Sequence, residues 1–275
     1  IKGVKNVVAV ASGKGGVGKS TTSANLALAL AAEGAKVGLL DADIYGPSMP
    51  MMLGVQGKPE SLDGKSMEPM VGHGVRVMSI GFLIDADQAM IWRGPMASQA
   101  LDQLLHQTHW GTAPDDELDY LVVDMPPGTG DIQLSLSQRV PVTGAVMVTT
   151  PQDIALLDVK KGINMFQKVG VPILGVVENM AVHVCSNCGH QEHIFGHEGG
   201  KRLAEAQGLP YLGALPLSLR IREQADSGAP TVVSDPDSQA AQTYREIARK
   251  VAASIAAKGR DYTHKFPTIK VSHGT

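Results

Sequence analysis

Short apolar segments alternate with segments of helical period along most of this chain. The apolar segments have the length and the continuous hydrophobicity of buried strands, and they cover residues 6–11, 36–40, 75–80, 120–124, 144–149, 173–177 and 211–215. Apolar side chains recur every three to four residues in longer segments, which predicts helices over residues 20–33, 96–107, 154–168 and 239–256. Parallel strands buried on both faces need helical crossovers, so the pattern predicts an α/β fold in which a mostly parallel, twisted sheet carries helices on both faces.

Two segments depart from this alternation. Residues 46–74 are rich in Gly, Pro and Met but show no clear period, and we expect a long functional loop there. Residues 259–275 are polar and lack an amphipathic pattern, which is typical of a loosely attached terminus. No internal repeat or linker divides the remainder, so we expect a single domain over residues 1–258 and a polar tail after it.

Composition and charge narrow the classes of function. The 275 residues include 24 Lys and Arg against 27 Asp and Glu, a formal net charge of −3. We therefore expect no partner among nucleic acids and no binding to a membrane, because no global basic field would attract either polyanion. No apolar run approaches the roughly 20 residues of a membrane-spanning helix. Two cysteines do not make a disulfide framework, which favours a cytoplasmic location.

A glycine-rich segment between the first predicted strand and the first predicted helix carries the strongest chemical signal. Its sequence, GKGGVGKST over residues 13–21, fits the phosphate-binding pattern G-x-x-x-x-G-K-[ST]. Glycines allow backbone N–H groups to point at phosphate oxygens, and the helix N-terminus favours negative charge. The segment therefore predicts an ATP site whose phosphate cradle consists of Gly13, Lys14, Gly15, Gly16, Val17, Gly18, Lys19, Ser20 and Thr21.

Charged and hydroxyl side chains around this loop have expected roles in ATP hydrolysis. Lys19 would neutralise the β- and γ-phosphates, and the Ser20 hydroxyl would bind Mg²⁺. Asp124 ends the apolar run YLVVD, the usual form of the second magnesium motif, and would hold the ion through water. Asp41 and Asp43 end the second predicted strand. A simple cap of the strand end is the alternative role for these carboxylates.

The extra lysine in the loop, Lys14, makes the segment resemble the deviant Walker A class of P-loop NTPases. That class includes the nitrogenase iron protein, arsenite-pump ATPases and the septum-site and partition ATPases. The resemblance implies a homodimer in which Lys14 reaches across the interface to the partner's nucleotide. It also implies that Asp43 lies in switch I and orients or activates the attacking water, whereas Asp41 is structural. We therefore expect an ATPase in which Lys14, Lys19 and Asp43 are catalytic.

Two later segments complete the expected nucleotide site. Residues 126–131 (PPGTGD) look like switch II of the same class, where Gly128 would let a backbone N–H meet the γ-phosphate. In this class an Asn at the end of a later strand contacts the base, and Asn179 occupies such a position. A turn residue is the alternative role for Asn179.

Cys185 and Cys188 are the only cysteines, and they form a C-x-x-C pair in a polar segment. One such pair gives two thiolates, whereas a [4Fe–4S] cluster is held by four. A two-fold dimer that brought both pairs together would supply all four. Zinc bound with nearby histidines, a redox pair and inert thiols are the alternatives, although the histidine spacing fits zinc poorly.

Several motifs together resemble the Mrp/ApbC group of iron–sulfur cluster carrier ATPases. They cover residues 13–21, 41–48 (DADIYGPS), 92–96 (WRGPM), 124–131 (DMPPGTGD) and 182–188 (VHVCSNC), and the resemblance extends from about residue 3 to about residue 258. It implies a cytosolic homodimer that binds a labile [4Fe–4S] cluster between its subunits, with slow ATP hydrolysis governing the cycle. Its partners would be cluster assembly scaffolds and the apo iron–sulfur proteins that receive the cluster.

A positioning or partition ATPase is the main alternative, since it shares the glycine-rich loop and Lys14. Such a protein would need a basic face for DNA or an amphipathic C-terminal helix for membranes. Residues 239–256 instead have the apolar spacing of a core helix, and this alternative gives the C-x-x-C pair no role. An electron-transfer protein like the nitrogenase reductase is a third possibility, but its cluster cysteines do not form a C-x-x-C pair.

Overall fold

The strands predicted from apolar character lie side by side in one central sheet. The structure is a computed structural model that describes residues 1–83, 94–111, 114–185 and 187–258. The strands are β1 (Val4–Ser12), β2 (Val37–Asp41), β3 (Met70–Gly72), β4 (Val75–Ser79), β5 (Leu118–Asp124), β6 (Gly144–Thr149), β7 (Ile173–Glu178), β8 (His183–Val184), β9 (Gln191–Glu192) and β10 (Tyr211–Ala214). Eight of them form the sheet in the order β10-β7-β6-β1-β5-β2-β4-β3, and β8 pairs with β9 in a separate hairpin. All neighbours in the sheet are parallel except β3 and β4.

Helices cover both faces of this sheet. They are α1 (Lys19–Ala32), α2 (Met49–Met52), α3 (Gly94–His106), α4 (Asp131–Arg139), α5 (Asp153–Lys168), α6 (Gly199–Ala206), α7 (Leu219–Asp226), α8 (Thr231–Ser234) and α9 (Gln239–Lys258). On one face α1 packs against α8 and α9, and on the other α5 packs between α4 and α6. The central strand β1 is buried from both sides, which explains its continuous run of Val and Ala.

Parallel pairing brings the carboxyl ends of the strands, and the polar residues that follow them, to one edge of the sheet. Asp41 at the end of β2 is in register with Asp124 at the end of β5. On the other side of β5, Val10 of β1 is in register with the same aspartate. Ligands of open α/β sheets bind at this edge, so the fold gathers the predicted nucleotide residues where such a site is expected.

The predicted sheet of parallel strands with helices on both faces is confirmed. The expectation that residues 46–74 form one long loop is only partly correct, because α2 and β3 lie within it. Residues 92–93 and the expected tail over residues 259–275 lie outside the described residues. None of the helices that the structure describes combines the length and the apolar character needed to cross a membrane.

Candidate functional site

The glycine-rich segment is the loop that joins β1 to α1, and close contacts explain two of its glycines. Gly18 has a φ of 79°, and a Cβ atom there would lie 2.1 Å from Nδ2 of Asn179. A Cβ atom on Gly13 would lie 2.1 Å from the backbone carbonyl carbon of Asp158 in α5. Only glycine therefore allows the loop to approach α5 and the end of β7 so closely.

Lys19 and Asp124 form a buried ion pair at the start of α1, with 2.7 Å between Nζ and Oδ1. The hydroxyl of Ser20 donates to Oδ2 of the same carboxylate at 2.7 Å. Ser23, one helical turn further on, donates to Oδ1 at 2.6 Å. These three partners compensate the cost of burying the Asp124 charge.

The same cluster has the oxygen ligands that Mg²⁺ requires. Magnesium prefers carboxylate and hydroxyl oxygens and usually retains several waters. The Ser20 hydroxyl and the Asp124 carboxylate are adjacent and face the N-terminus of α1, where the phosphates of a nucleotide would lie. The residues predicted for magnesium are therefore brought together, and the donor set fits the ion.

Two adjoining cavities open above the loop. The first, of about 250 Å³, is lined by loop residues together with Asp43 and Pro127. The second, of about 180 Å³, shares Gly18 and Thr21 with the first and is also lined by Asn179 and Arg222, among others. The first cavity therefore lies directly beside the phosphate cradle, and the second cavity adjoins the first at Gly18 and Thr21.

Asn179 lies between the loop and the second cavity. Its Nδ2 atom donates a hydrogen bond of 2.9 Å to the carbonyl of Val17, and the residue is 8% exposed. The side chain thus reaches the phosphate loop, which a simple turn residue would not need to do. Its predicted contact with the adenine base stays a prediction.

The two aspartates after β2 have different environments. Asp41 is completely buried and accepts hydrogen bonds from the amides of Ser48 (2.9 Å) and Met49 (3.1 Å) and from the Ser79 hydroxyl (3.0 Å). Burial and the neighbouring Asp124 carboxylate raise the pKa of Asp41 from its ordinary 3.8 to about 7. Asp41 therefore anchors the segment that leads from β2 into α2.

Asp43 is half-buried and lines the first cavity. Burial raises the pKa of this carboxyl group, the ammonium of Lys19 opposes the increase, and Asp124 adds to it. Asp43 and Lys19 line the same cavity, so the carboxyl group lies near the Lys19–Asp124 pair. A partly exposed carboxylate next to the phosphate cradle can accept a hydrogen bond from water.

Lys14 lines the first cavity, and Gly128 is hydrogen-bonded to Ser12, which lines the same cavity. Lys14 is half-exposed, and its ammonium group has no ion-pair partner within the described ranges. Gly128 has a φ of 95°, and its N–H donates to the carbonyl of Ser12 at 3.2 Å. The Gly128 amide is therefore engaged by the protein here, and a contact with a γ-phosphate would require it to leave Ser12.

The two cysteines lie at the tip of the β8–β9 hairpin. The Cys185 amide donates to the carbonyl of His190 at 2.9 Å, and the Gly189 amide donates to the carbonyl of Cys185 at 2.9 Å. Both thiols are free, and Cys188 is exposed. The backbone N–H groups of Cys188 and Asn187 lower the pKa of the Cys185 thiol, which favours the thiolate form that binds metals.

Two of the histidines near the hairpin lie against backbone carbonyls. Nδ1 of His193 lies 2.8 Å from the carbonyl oxygen of Ala181, and Nδ1 of His183 lies 3.2 Å from that of Leu217. In the part of the chain that the structure describes, no three His, Cys, Asp or Glu side chains are grouped so that they could hold a metal ion.

Ser23 is a site residue that the phosphate-binding pattern does not include. Its hydroxyl oxygen lies 2.6 Å from Oδ1 of Asp124, to which it donates, and 3.0 Å from the carbonyl oxygen of Lys19, four residues earlier in α1. The spacing contained the signal, because residues four apart lie on the same face of a helix.

The loop, the helix that it opens and the strand-end carboxylate have the order and spacing of a P-loop NTPase, the class of protein to which this site belongs. Residues 3–252 also match the family model described as ParA, NUBPL iron-transfer P-loop NTPase. The chain therefore belongs to this family of iron-transfer P-loop NTPases. The match agrees with the family resemblance seen in the sequence.

Similar proteins are known from bacteria and from animals. The chain is 62% identical over 260 residues to an iron–sulfur cluster carrier protein of Escherichia coli (strain K12), covering 94% of this chain and 69% of that protein. It is 53% identical over 257 residues to the iron–sulfur cluster transfer protein NUBPL of Mus musculus, covering 93% of this chain and 79% of that protein.

Solved structures share the fold. A nucleotide-binding protein from Archaeoglobus fulgidus, in complex with ADP, is 37% identical with a TM-score of 0.71, and the match covers 82% of this chain and 87% of that one. The septum site-determining protein MinD of Pyrococcus horikoshii, complexed with Mg-ADP, is 25% identical with a TM-score of 0.66, and the match covers 92% of this chain and 99% of that one. The P-loop NTPase fold predicted from the sequence is thereby confirmed.

Proposed function

We propose that this protein is an ATP-dependent iron–sulfur cluster carrier. Two copies hold a labile [4Fe–4S] cluster between them through Cys185 and Cys188, and they pass it to apo-proteins. ATP binds with Mg²⁺ at the P-loop and is hydrolysed slowly. The observation that carries the proposal is the presence, in one domain of this family, of a complete P-loop site and of a hairpin that presents two free thiols.

The ion pair between Lys19 and Asp124 supports the ATPase part of the proposal. When the β- and γ-phosphates reach the cradle, Lys19 turns from the carboxylate to the phosphate oxygens. Asp124 and Ser20 would then hold the magnesium ion, which would supply positive charge beside the transferred phosphoryl group. Asp43 accepts a hydrogen bond from the water that attacks the γ-phosphate.

Lys14 supports the dimeric part of the proposal. Lys14 lines the first cavity, and its ammonium group has no ion-pair partner in the described part of its own chain. In a two-fold dimer the ammonium group of each Lys14 would reach the nucleotide of the other copy. Because an isologous interface makes each contact twice, both nucleotide sites would receive a lysine from the opposite chain. Hydrolysis would then depend on dimerisation.

The hairpin supports the carrier part of the proposal. Four thiolates complete the coordination of a [4Fe–4S] cluster, so two hairpins related by symmetry are sufficient. The exposed Cys188 leaves the cluster accessible to the thiols of an acceptor, which can replace the carrier's thiolates one after another. The names of the bacterial and mouse relatives support the same cargo.

A transfer assay tests this function. The protein is loaded anaerobically with iron and sulfide, separated from free iron and mixed with an apo-enzyme whose activity requires a [4Fe–4S] cluster. We expect the acceptor to gain activity in the presence of a chelator that captures free iron. Cluster binding without any transfer would contradict the carrier function, and retention of zinc in place of iron would favour a structural metal site.

A further inference from the structure

The cysteine hairpin and the nucleotide cavity are connected by a very short stretch of chain, residues 179–183. Asn179, at its start, donates to the P-loop carbonyl of Val17 and lines the second cavity. Cys185 follows only six residues later. A molecule that occupies the cavity therefore contacts the same peptide segment that leads into the cysteines.

Backbone hydrogen bonds tie this segment to the residues that follow β10. The Ala181 amide donates to the carbonyl of Leu215 at 2.9 Å, and the Leu217 amide donates to the carbonyl of Val182 at 2.9 Å. Met180, which lies between Asn179 and Ala181, has a φ of 56°, a value that a non-glycine residue rarely adopts. Such conformations persist only where surrounding contacts hold them, and they concentrate at functional segments. Met180 also lines the second cavity.

His193 joins the far end of the hairpin to the same segment. It follows β9, and its Nδ1 atom lies 2.8 Å from the carbonyl oxygen of Ala181. A carbonyl oxygen only accepts, so Nδ1 carries the proton and donates. The ring also packs edge-to-face against His197, with 4.4 Å between ring centroids. The base of the hairpin is thus tied to Ala181, two residues from Asn179.

We propose that His193 is a positioning residue that couples the nucleotide cavity to the cysteine pair within one chain. A base in the cavity displaces Asn179 and Met180, the Ala181 carbonyl moves with them, and His193 carries the movement to the hairpin. This inference rests on the proposed function, since it assigns a mechanism of communication to its two sites. Coupling of this kind is reciprocal, so the cluster changes nucleotide affinity by the same factor as the nucleotide changes cluster affinity.

Thiol reactivity tests the coupling without requiring a cluster. Reduced, cluster-free protein is treated with a maleimide, and the alkylation rates of Cys185 and Cys188 are measured with and without a non-hydrolysable ATP analogue. In the wild type we expect the analogue to change the rate about fivefold or more, the lower end of usual allosteric coupling. His193→Ala should remove this nucleotide dependence while the analogue still binds.

Two matched variants distinguish coupling from simple loosening of the hairpin. His193→Asn, whose side-chain amide can donate from a similar position, should restore most of the nucleotide dependence. His190→Ala removes an exposed imidazole nearer to the cysteines and should leave the dependence unchanged. The same pattern is expected in a Lys14→Ala background, because the proposed path stays within one chain.

The outcomes separate this inference from the proposed function. If His193→Ala alkylates faster but keeps the full response to the analogue, His193 is only structural and the inference is wrong. If the wild type binds the analogue without any change in thiol reactivity, the inference is also wrong, whereas cluster transfer stands or falls on its own assay. A wild type that does not bind the analogue would overturn both.

Discussion

Nζ of Lys19 lies 2.7 Å from Oδ1 of Asp124, and the two side chains are 6% and 0% exposed. Lys19, which is expected to neutralise phosphate, is therefore ion-paired with Asp124, which is expected to bind magnesium. This pairing keeps both charges compensated before a nucleotide arrives. It also makes each of the two residues sensitive to the loss of the other.

Lys19→Ala should abolish ATP binding, because no other ammonium group occupies its position among the described residues. It should also lower the free energy of unfolding, by up to about 3 kcal/mol, since the Asp124 charge stays buried without its cation. Isothermal titration with ATP and urea denaturation measure the two effects. The double variant Lys19→Ala, Asp124→Asn should regain stability but not ATP binding. Recovery of neither property, or of both, would contradict this account of the pair.

Gly18→Ala should weaken ATP binding through Asn179. The new methyl group would overlap the Asn179 amide, and the positive φ at Gly18 adds strain. Gly34→Ala is the matched control, because Gly34 also has a positive φ of 95° but has no atom within 4 Å of the added Cβ. We expect the control to lose about 1 kcal/mol of stability and to keep its ATP affinity. Equal ATP affinities in the two variants would mean that the contact with Asn179 is unimportant.

Complementation tests whether Lys14 acts across a dimer interface. Lys14→Ala and Asp43→Asn should each be inactive in ATP hydrolysis, while both retain nucleotide binding. In a mixed dimer, one of the two sites regains a wild-type Lys14 and a wild-type Asp43. After random subunit exchange the mixture should recover about a quarter of the wild-type rate. Native mass spectrometry should first verify that the subunits have exchanged. If the exchanged mixture then shows no recovery of ATP hydrolysis, Lys14 acts within its own chain.

The pH dependence of stability should report the buried carboxyl group of Asp41. Its pKa is raised to about 7, so between its ordinary value of 3.8 and pH 7 the folded protein retains a proton that the unfolded chain loses. The free energy of unfolding therefore falls as the pH rises through this window, by about 4 kcal/mol at most. Asp41→Asn cannot ionise, and its stability should lack this part of the decrease. Parallel profiles for wild type and variant, from equilibrium denaturation between pH 4.5 and 8.5, would show that Asp41 is ionised throughout.

The sequence was most informative where a pattern is local. The apolar run of β1, the glycines of the loop and the strand-end position of Asp124 are all visible within a few residues. Helix α6 is not predicted because it is only eight residues long and begins with Gly199 and Gly200, which have poor helix propensity. The amides of Gly200 and Lys201, near its start, donate to the carboxylate of Glu178, which lies 22 and 23 positions earlier in the sequence.

The hairpin shows a second limit of sequence reasoning. Its two strands are only two residues long, so no alternation marks them, and the cysteines were expected simply in a polar segment. The hydrogen bond from His193 to Ala181 could not be foreseen either, because it depends on how the chain returns after β9. The pair between Lys19 and Asp124 joins residues of two separate sequence motifs, and their direct contact is a property of the folded chain.

The central claim is that two copies of this chain hold one cluster through four cysteines. Anaerobic native mass spectrometry, combined with iron and sulfide analysis after reconstitution, tests it most directly. We expect a dimer that carries about four irons and about four sulfides, and Cys185→Ala or Cys188→Ala should lose most of both while still binding ATP. A monomer that holds its own metal, or a zinc ion retained in each chain when iron and sulfide are supplied, would contradict the claim.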